Sequence, residues 1–227
     1  MGPSAGIHLQ KLIVDATPAS RDQDHLEVLC FTNPHIPDRT ASLEADGGEE
    51  YVRAIVESLH SLHRGGATLA VIPCNTSHAR IDRIRAESPI PVINLIDTAL
   101  RSIHDRIGSG RKLGLLATRG TIRSGVYPAS ELGHEFLWAL PSNTDEDELM
   151  EIIYGVKAGQ TERVVERTIA VANTLTTRGA EAILLGCTEL SIYADDFGRV
   201  TNVTIFDPLK SMATYLVELS GRVSTPS

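Results

Sequence analysis

Cysteine is scarce in this chain: three thiols, Cys30, Cys74 and Cys187, are spread over 227 residues. That number and spacing exclude the disulfide framework of a small secreted domain. Basic residues are outnumbered, 21 Lys and Arg against 29 Asp and Glu for a formal net charge of −8, and no basic run interrupts the balance. An electrostatic footprint for nucleic acid is thereby excluded. No apolar stretch approaches the roughly 20 residues that a membrane-spanning helix needs. The opening residues carry neither the basic segment nor the apolar core of an export signal, so the glycosylation patterns Asn75-Thr76-Ser77 and Asn202-Val203-Thr204 are chance matches. Low-complexity segments are missing too. These absences imply a globular protein of the reducing cytoplasm, and 42% hydrophobic residues suffice for a core.

What the chain does have is an internal rhyme. Gly66-Ala67-Thr68-Leu69-Ala70-Val71-Ile72-Pro73-Cys74-Asn75-Thr76 and Gly179-Ala180-Glu181-Ala182-Ile183-Leu184-Leu185-Gly186-Cys187-Thr188-Glu189 share a Gly-Ala step, an apolar run, a cysteine and a polar pair. One offset of 113 residues relates the Gly, Ala and Cys positions, about half the chain. A half-length repeat with one thiol per copy predicts two similar lobes facing across a cleft.

Short β-branched or aliphatic runs at 26–31, 69–72, 91–95, 112–116, 182–185 and 203–206 read as strands, several of them continuous like buried parallel strands. Helical spacing separates them. Val52, Ile55, Val56, Leu59 and Leu62 make one apolar face; Leu149, Ile152, Ile153 and Val156 make a second, after the acidic opening Thr144-Asp145-Glu146-Asp147. Val164, Val165, Ile169, Ala172 and Leu175 make a third, with Thr161 as the expected N-cap. The alternation predicts an α/β fold of two pseudo-symmetric, Rossmann-like lobes with parallel sheets and the active site between them. Residues 1–97 with 208–227 form the expected first lobe, carrying Cys74, and 98–207 the second, carrying Cys187. Gly108-Ser109-Gly110 reads as a hinge, and a last helix over about 208–219 packs back on the first lobe. Met1-Gly2-Pro3-Ser4-Ala5-Gly6 looks like a turn with no strand before it, so either the first lobe lacks its opening strand or the chain as given starts late.

In a doubly wound sheet, ligands bind at the carboxyl ends of strands, where the next helix offers free N–H groups. Cys74 and Cys187 both fall there, and the helix dipole is expected to lower each thiol's pKa from about 8.5. Cys30 reads instead as a small apolar residue inside a strand. His60 and His63 read as a solvated helix edge, since no acidic or thiol cluster completes a metal site, and Trp138 as core or interface.

The segments Ile72-Pro73-Cys74-Asn75-Thr76-Ser77-His78 and Leu185-Gly186-Cys187-Thr188-Glu189-Leu190 resemble the paired signatures of the aspartate/glutamate racemase family. Met1-Gly2-Pro3 resembles the end of that family's Gly-Gly-Met-Gly-Pro loop. Further similar stretches are Thr17-Pro18-Ala19, Arg21-Asp22-Gln23-Asp24-His25, Asn33 to Thr40, Leu115 to Thr121, Tyr127 and Tyr154 to Gly159. Glu189 stands where glutamate racemases carry His, which favours the aspartate-like or broad-specificity branch.

The resemblance implies a cofactor-independent racemase, dimeric, interconverting L- and D-aspartate or glutamate. The chemistry agrees: one thiolate removes the α-proton and the opposing thiol returns one to the other face. Charge spreading into the α-carboxylate calls for fixed donors, and Asn75, Thr76, Thr118, Thr121 and Thr188 are the candidates. Arg39 resembles the family's distal-carboxylate arginine and Lys157 its cationic partner. His78 and Glu189 are candidates for supporting the cysteines. No pyridoxal-type lysine motif or P-loop is present, and no cofactor or metal is expected. Plainer roles stay open: Lys157 as a helix C-terminal cation, Arg39 paired with Asp38 or Asp24, His78 as an early helix residue, Glu189 as a cap. Alternatives to racemisation are a single-thiol decarboxylase or dicarboxylate isomerase, and a catalytically impaired binding protein for acidic metabolites.

Overall fold

A computed structural model describes residues 2–221. Met1 and residues 222–227, assigned above to the first lobe, lie outside the described residues. The chain opens with helices α1 (Pro3–Ala16), α2 (Arg39–Asp46) and α3 (Glu49–Arg64), followed by strand β1 (Ala70–Val71). Then come α4 (Ile81–Glu87), β2 (Val92–Ile93), α5 (Leu95–Ile107), β3 (Lys112–Ala117), α6 (Arg119–Arg123) and β4 (Leu137–Ala139). The remainder is α7 (Asn143–Lys157), α8 (Val164–Thr177), β5 (Ala182–Gly186), α9 (Thr188–Ser191), α10 (Ala194–Val200), β6 (Thr204–Phe206) and α11 (Pro208–Leu219).

Local chemistry starts several of these helices. Ser142 and Asp145 form a reciprocal capping box at α7. Asn94 accepts from the N–H groups of Ile96 and Asp97 at α5, and Asp207 caps α11 ahead of Pro208.

All strand pairs are parallel. β1 pairs with β2, and the second sheet has the order β4-β3-β5-β6. The chain leaves β3 toward β4 on one side and β5 toward β6 on the other, so the β3/β5 seam is the switch point where a crevice opens. Helices cover both faces. Leu116, Ile183 and Leu185 pack against Leu149 and Ile153 of α7 and Leu175 of α8. Leu113, Leu115 and Leu184 pack against Leu100 and Ile103 of α5 on the opposite face. Val92 of the smaller sheet and Ile72, just after β1, meet Val52, Ile55 and Leu59 of α3. Leu9 and Ile13 of α1 meet Leu209, Met212 and Ala213 of α11 against Val71 and Ile93.

Several sequence expectations fail locally. Residues 26–31 form no strand, and Cys30 is exposed rather than buried, because no neighbouring strand supplies a ladder. Pro3 to Gly6 belong to α1, not to a turn, with proline at the first helical position where its missing N–H is harmless. No strand precedes α1 among the described residues. α8 starts after Arg163, which takes up φ 57°, rather than from a Thr161 cap. β4, with the half-buried Trp138, was not expected at all. Trp138 stacks at an angle on Tyr127 and donates its ring N–H to Gly133 O.

Candidate active site

Cys74 follows β1 and Pro73 and enters a 3₁₀ turn over Thr76–Arg80. Its carbonyl oxygen accepts from Ser77 Oγ at 2.8 Å and faces His78 Nδ1 at 2.8 Å. His78 Nε2 accepts from the Leu95 N–H at 3.0 Å. A carbonyl only accepts and an amide N–H only donates, which fixes the ring as the neutral Nδ1–H tautomer. Burial, the largest cause, pushes the His78 pKa down to about 4; the Arg85 charge works in the same direction, against the Cys74 hydrogen bond. His78 is thus a brace behind Cys74 and does not line the cleft.

Asn75 accepts a hydrogen bond from Tyr127 at 2.5 Å on Oδ1, while its buried Nδ2 has no partner. Arg39 opens α2, whose N-cap Asp38 accepts from the Ala41 N–H. Arg39 Nη1 donates to the carbonyls of Ile36 (3.2 Å) and Pro37 (2.7 Å), and its buried Nε is unpartnered. Burial works to lower the Arg39 pKa, but Cys74 beside it, with Asp38 and Glu189, raises it overall. Asp24 pairs with Arg21 instead.

The second lobe supplies the opposite wall. Cys187 follows β5, and its thiol donates to Glu189 Oε2 at 3.0 Å. Burial first, and then the Glu189 carboxylate, push the Cys187 pKa well up. The expected dipole-lowered thiol is therefore corrected at this position. α9 has four residues, too few for a substantial dipole, while the sulfur is desolvated beside an anion. Glu189 is buried and serves the thiol rather than only capping a helix.

Thr76, Thr118 and Thr121 join the walls. Their hydroxyls form a closed ring, with 2.9 Å from Thr76 to each of the others and 3.1 Å between Thr118 and Thr121. Thr118 also caps α6 by accepting from the Thr121 N–H. At the rim, Lys157 of α7 reaches Asp38 at 3.6 Å and stands 4.4 Å over the Tyr154 ring. Burial and the adjacent Asp38 push the Tyr154 pKa up to about 12.

One narrow cleft, with a free volume of about 20 Å³, gathers most of these groups. Cys74, Asn75, Thr76, Arg39, Thr118, Lys157, Cys187, Thr188 and Glu189 line it; Thr121, fully buried, does not. Asp38, Thr40, Gly2 and Gly186 also line it, and sequence reasoning had not singled them out. Asp38 had a readable signal, a carboxylate directly before Arg39. Gly2 and Gly186 lie in the Met1-Gly2-Pro3 and Leu185-Gly186-Cys187 segments that carry the family resemblance, but offer no side chain to name as a ligand group. No group of His, Cys, Asp and Glu suited to a metal ion occurs among the described residues.

Paired thiols in a crevice between two parallel α/β sheets define the class of protein. The family model described as Asp/Glu/Hydantoin racemase matches residues 1–216, and the chain belongs to that family. It is 26% identical to the solved Picrophilus torridus aspartate racemase, with a TM-score of 0.83 over 99% of this chain and 92% of that one. A glutamate racemase, isoform RacE1, from Bacillus anthracis shares the two-lobed fold at a TM-score of 0.69, 19% identity, and coverage of 97% and 79%. Among curated proteins, a glutamate racemase of Picosynechococcus is 28% identical over 146 residues, 62% of this chain and 49% of that protein. The match thus spans about half the length of that relative. The broad specificity amino-acid racemase RacX of Bacillus subtilis is 23% identical over 188 residues, 78% of this chain and 75% of that protein.

Proposed function

We propose that this protein is a cofactor-independent racemase of acidic amino acids, aspartate before glutamate, working in the cytoplasm as a homodimer. One observation carries the reading: two cysteines, each at the end of a strand in a different lobe, line a single cleft. Cys74 beside the Arg39 cation is the base in the resting protein, and Cys187, whose proton lies toward Glu189, is the acid. The Cα–H bond breaks as its proton passes to the Cys74 sulfur, and the Cys187 S–H proton is delivered to the opposite face. The two thiols have then exchanged protonation states, which is the form needed to run the reaction in reverse.

Negative charge in the transition state spreads into the α-carboxylate. The free Asn75 Nδ2 supplies a donor for it; Thr76 and Thr118 join where a proton of their hydroxyl ring with Thr121 turns to the substrate, and Thr188 where its hydroxyl leaves Glu189. The unpartnered Arg39 Nε and the Lys157 ammonium receive the side-chain carboxylate. Lys157 exchanges Asp38 for substrate. Of the described residues, 2–97 with 208–221 make the Cys74 lobe and 98–207 the Cys187 lobe, a division supported by the packing of α11 on α1.

Polarimetry on L- and on D-aspartate without added cofactor tests the reading. Loss of rotation toward zero from both starting enantiomers is expected, and Cys74→Ala or Cys187→Ala abolishes it without unfolding the protein. Calorimetric binding of aspartate with constant rotation would show a binding protein instead.

A further inference from the structure

Tyr127 is fully buried and does not line the cleft, and its hydroxyl is hydrogen-bonded to Asn75, which does. The Asn75 side chain has one accepting end and one donating end, and the two are nearly isosteric. Which end faces the cleft is decided by what meets the other. Tyr127 has a single proton to place, and Asn75 Oδ1 is its acceptor at 2.5 Å. With the amide reversed, Nδ2 would donate to the phenol oxygen and the phenol proton would be left in the interior without that acceptor. A buried donor with no acceptor is costly. The observed orientation leaves Nδ2 buried without a partner instead, but on the residue that lines the cleft, where a ligand's acceptor can satisfy it. Burial holds the Tyr127 pKa well above the ordinary phenol value, so the ring stays a donor across the physiological range.

We infer that Tyr127 is a positioning residue that locks the Asn75 carboxamide with its N–H₂ toward the substrate carboxylate. The inference rests on the racemase reading for its consequence, but not for its geometry. Tyr127 comes from the second lobe and Asn75 from the first, so the lock holds only while the lobes are apposed. The Thr76–Thr118–Thr121 ring keeps them so one residue further on. A ligand that needs the Nδ2 donor therefore finds it presented in the closed arrangement, and a carboxylate is the acceptor that suits it.

Tyr127→Phe keeps the ring that packs on Trp138 and removes only the proton. In the otherwise native protein it is expected to lower kcat/KM for aspartate about tenfold to a hundredfold, as loss of alignment does. In an Asn75→Ala background the same change is expected to alter kcat/KM by less than about twofold, since no amide remains to orient. An equal fall in both backgrounds, or no fall in the native one, overturns the proposal. A second readout is independent of turnover. In a sample with ¹⁵N-labelled Asn, the Asn75 δ2 protons should show weak cross-relaxation with the Tyr127 ring; a strong signal means that the amide is reversed and defeats the lock. A native protein that inverts neither enantiomer yet shows the weak signal overturns the racemase reading and leaves the lock standing.

Discussion

His78 can hold its place only as a neutral ring. A proton on Nε2 would set two donors, that nitrogen and the Leu95 N–H, against each other at 3.0 Å. The folded protein takes up that proton near pH 4, the unfolded chain near the ordinary 6.5, so between those values the unfolded state binds more protons. The stability His78 contributes is fully present above pH 6.5 and is lost as pH falls toward 4, about 3 kcal/mol over the window. His78→Gln, which can still donate and accept but does not titrate, is expected to flatten that part of the loss. Urea midpoints across the range measure it, and identical slopes for the two proteins would count against the neutral brace. Cys187 gives a second residue-scale expectation. Glu189→Gln removes the anion that helps burial raise the Cys187 pKa, so iodoacetamide should modify Cys187 at lower pH than in the native protein. An unshifted profile would mean that burial alone sets its proton affinity. The two cleft thiols were legible because they rhyme in sequence; the opposite environments of Cys74 and Cys187 were not, because they depend on Arg39 and Glu189 side chains placed by folding.

At the scale of elements, close approach between α6 and the first lobe depends on Gly120. A Cβ there would lie 2.7 Å from Thr40 Oγ1, 2.9 Å from Thr76 Cγ2 and 3.0 Å from Thr40 Cα. Gly120→Ala is expected to cost about 1–3 kcal/mol in stability and, by pushing Thr76 from Thr118, to lower kcat/KM by tenfold or more. Thermal unfolding alongside kinetics checks both; a stable, fully active variant would show that the walls are not held by this contact. β3 and β5 were readable as uninterrupted apolar runs because both faces of the second sheet are covered. β4 was hidden because it is a three-residue edge strand whose Leu137 faces solvent. Residues 26–31 misled for the converse reason. Their composition suits a strand, but a strand needs a partner, and none lies beside them among the described residues.

For the whole molecule, the two-lobed architecture followed from the half-length repeat, and the repeat also marks where symmetry ends. One copy feeds a two-stranded sheet and the other a four-stranded one. The cleft between them is built from unlike halves: a cation beside one thiol, a carboxylate beside the other. On the proposed reading each turnover starts with one thiolate and one thiol, and the two have exchanged states at its end. Deuterium at Cα reports it directly. With L-aspartate and D-aspartate incubated separately in D₂O and sampled early, the account predicts inverted product carrying deuterium at Cα while the unreacted enantiomer keeps its protium. Deuterium entering the unreacted enantiomer as fast as the product, or undiminished inversion by Cys187→Ala, would contradict it.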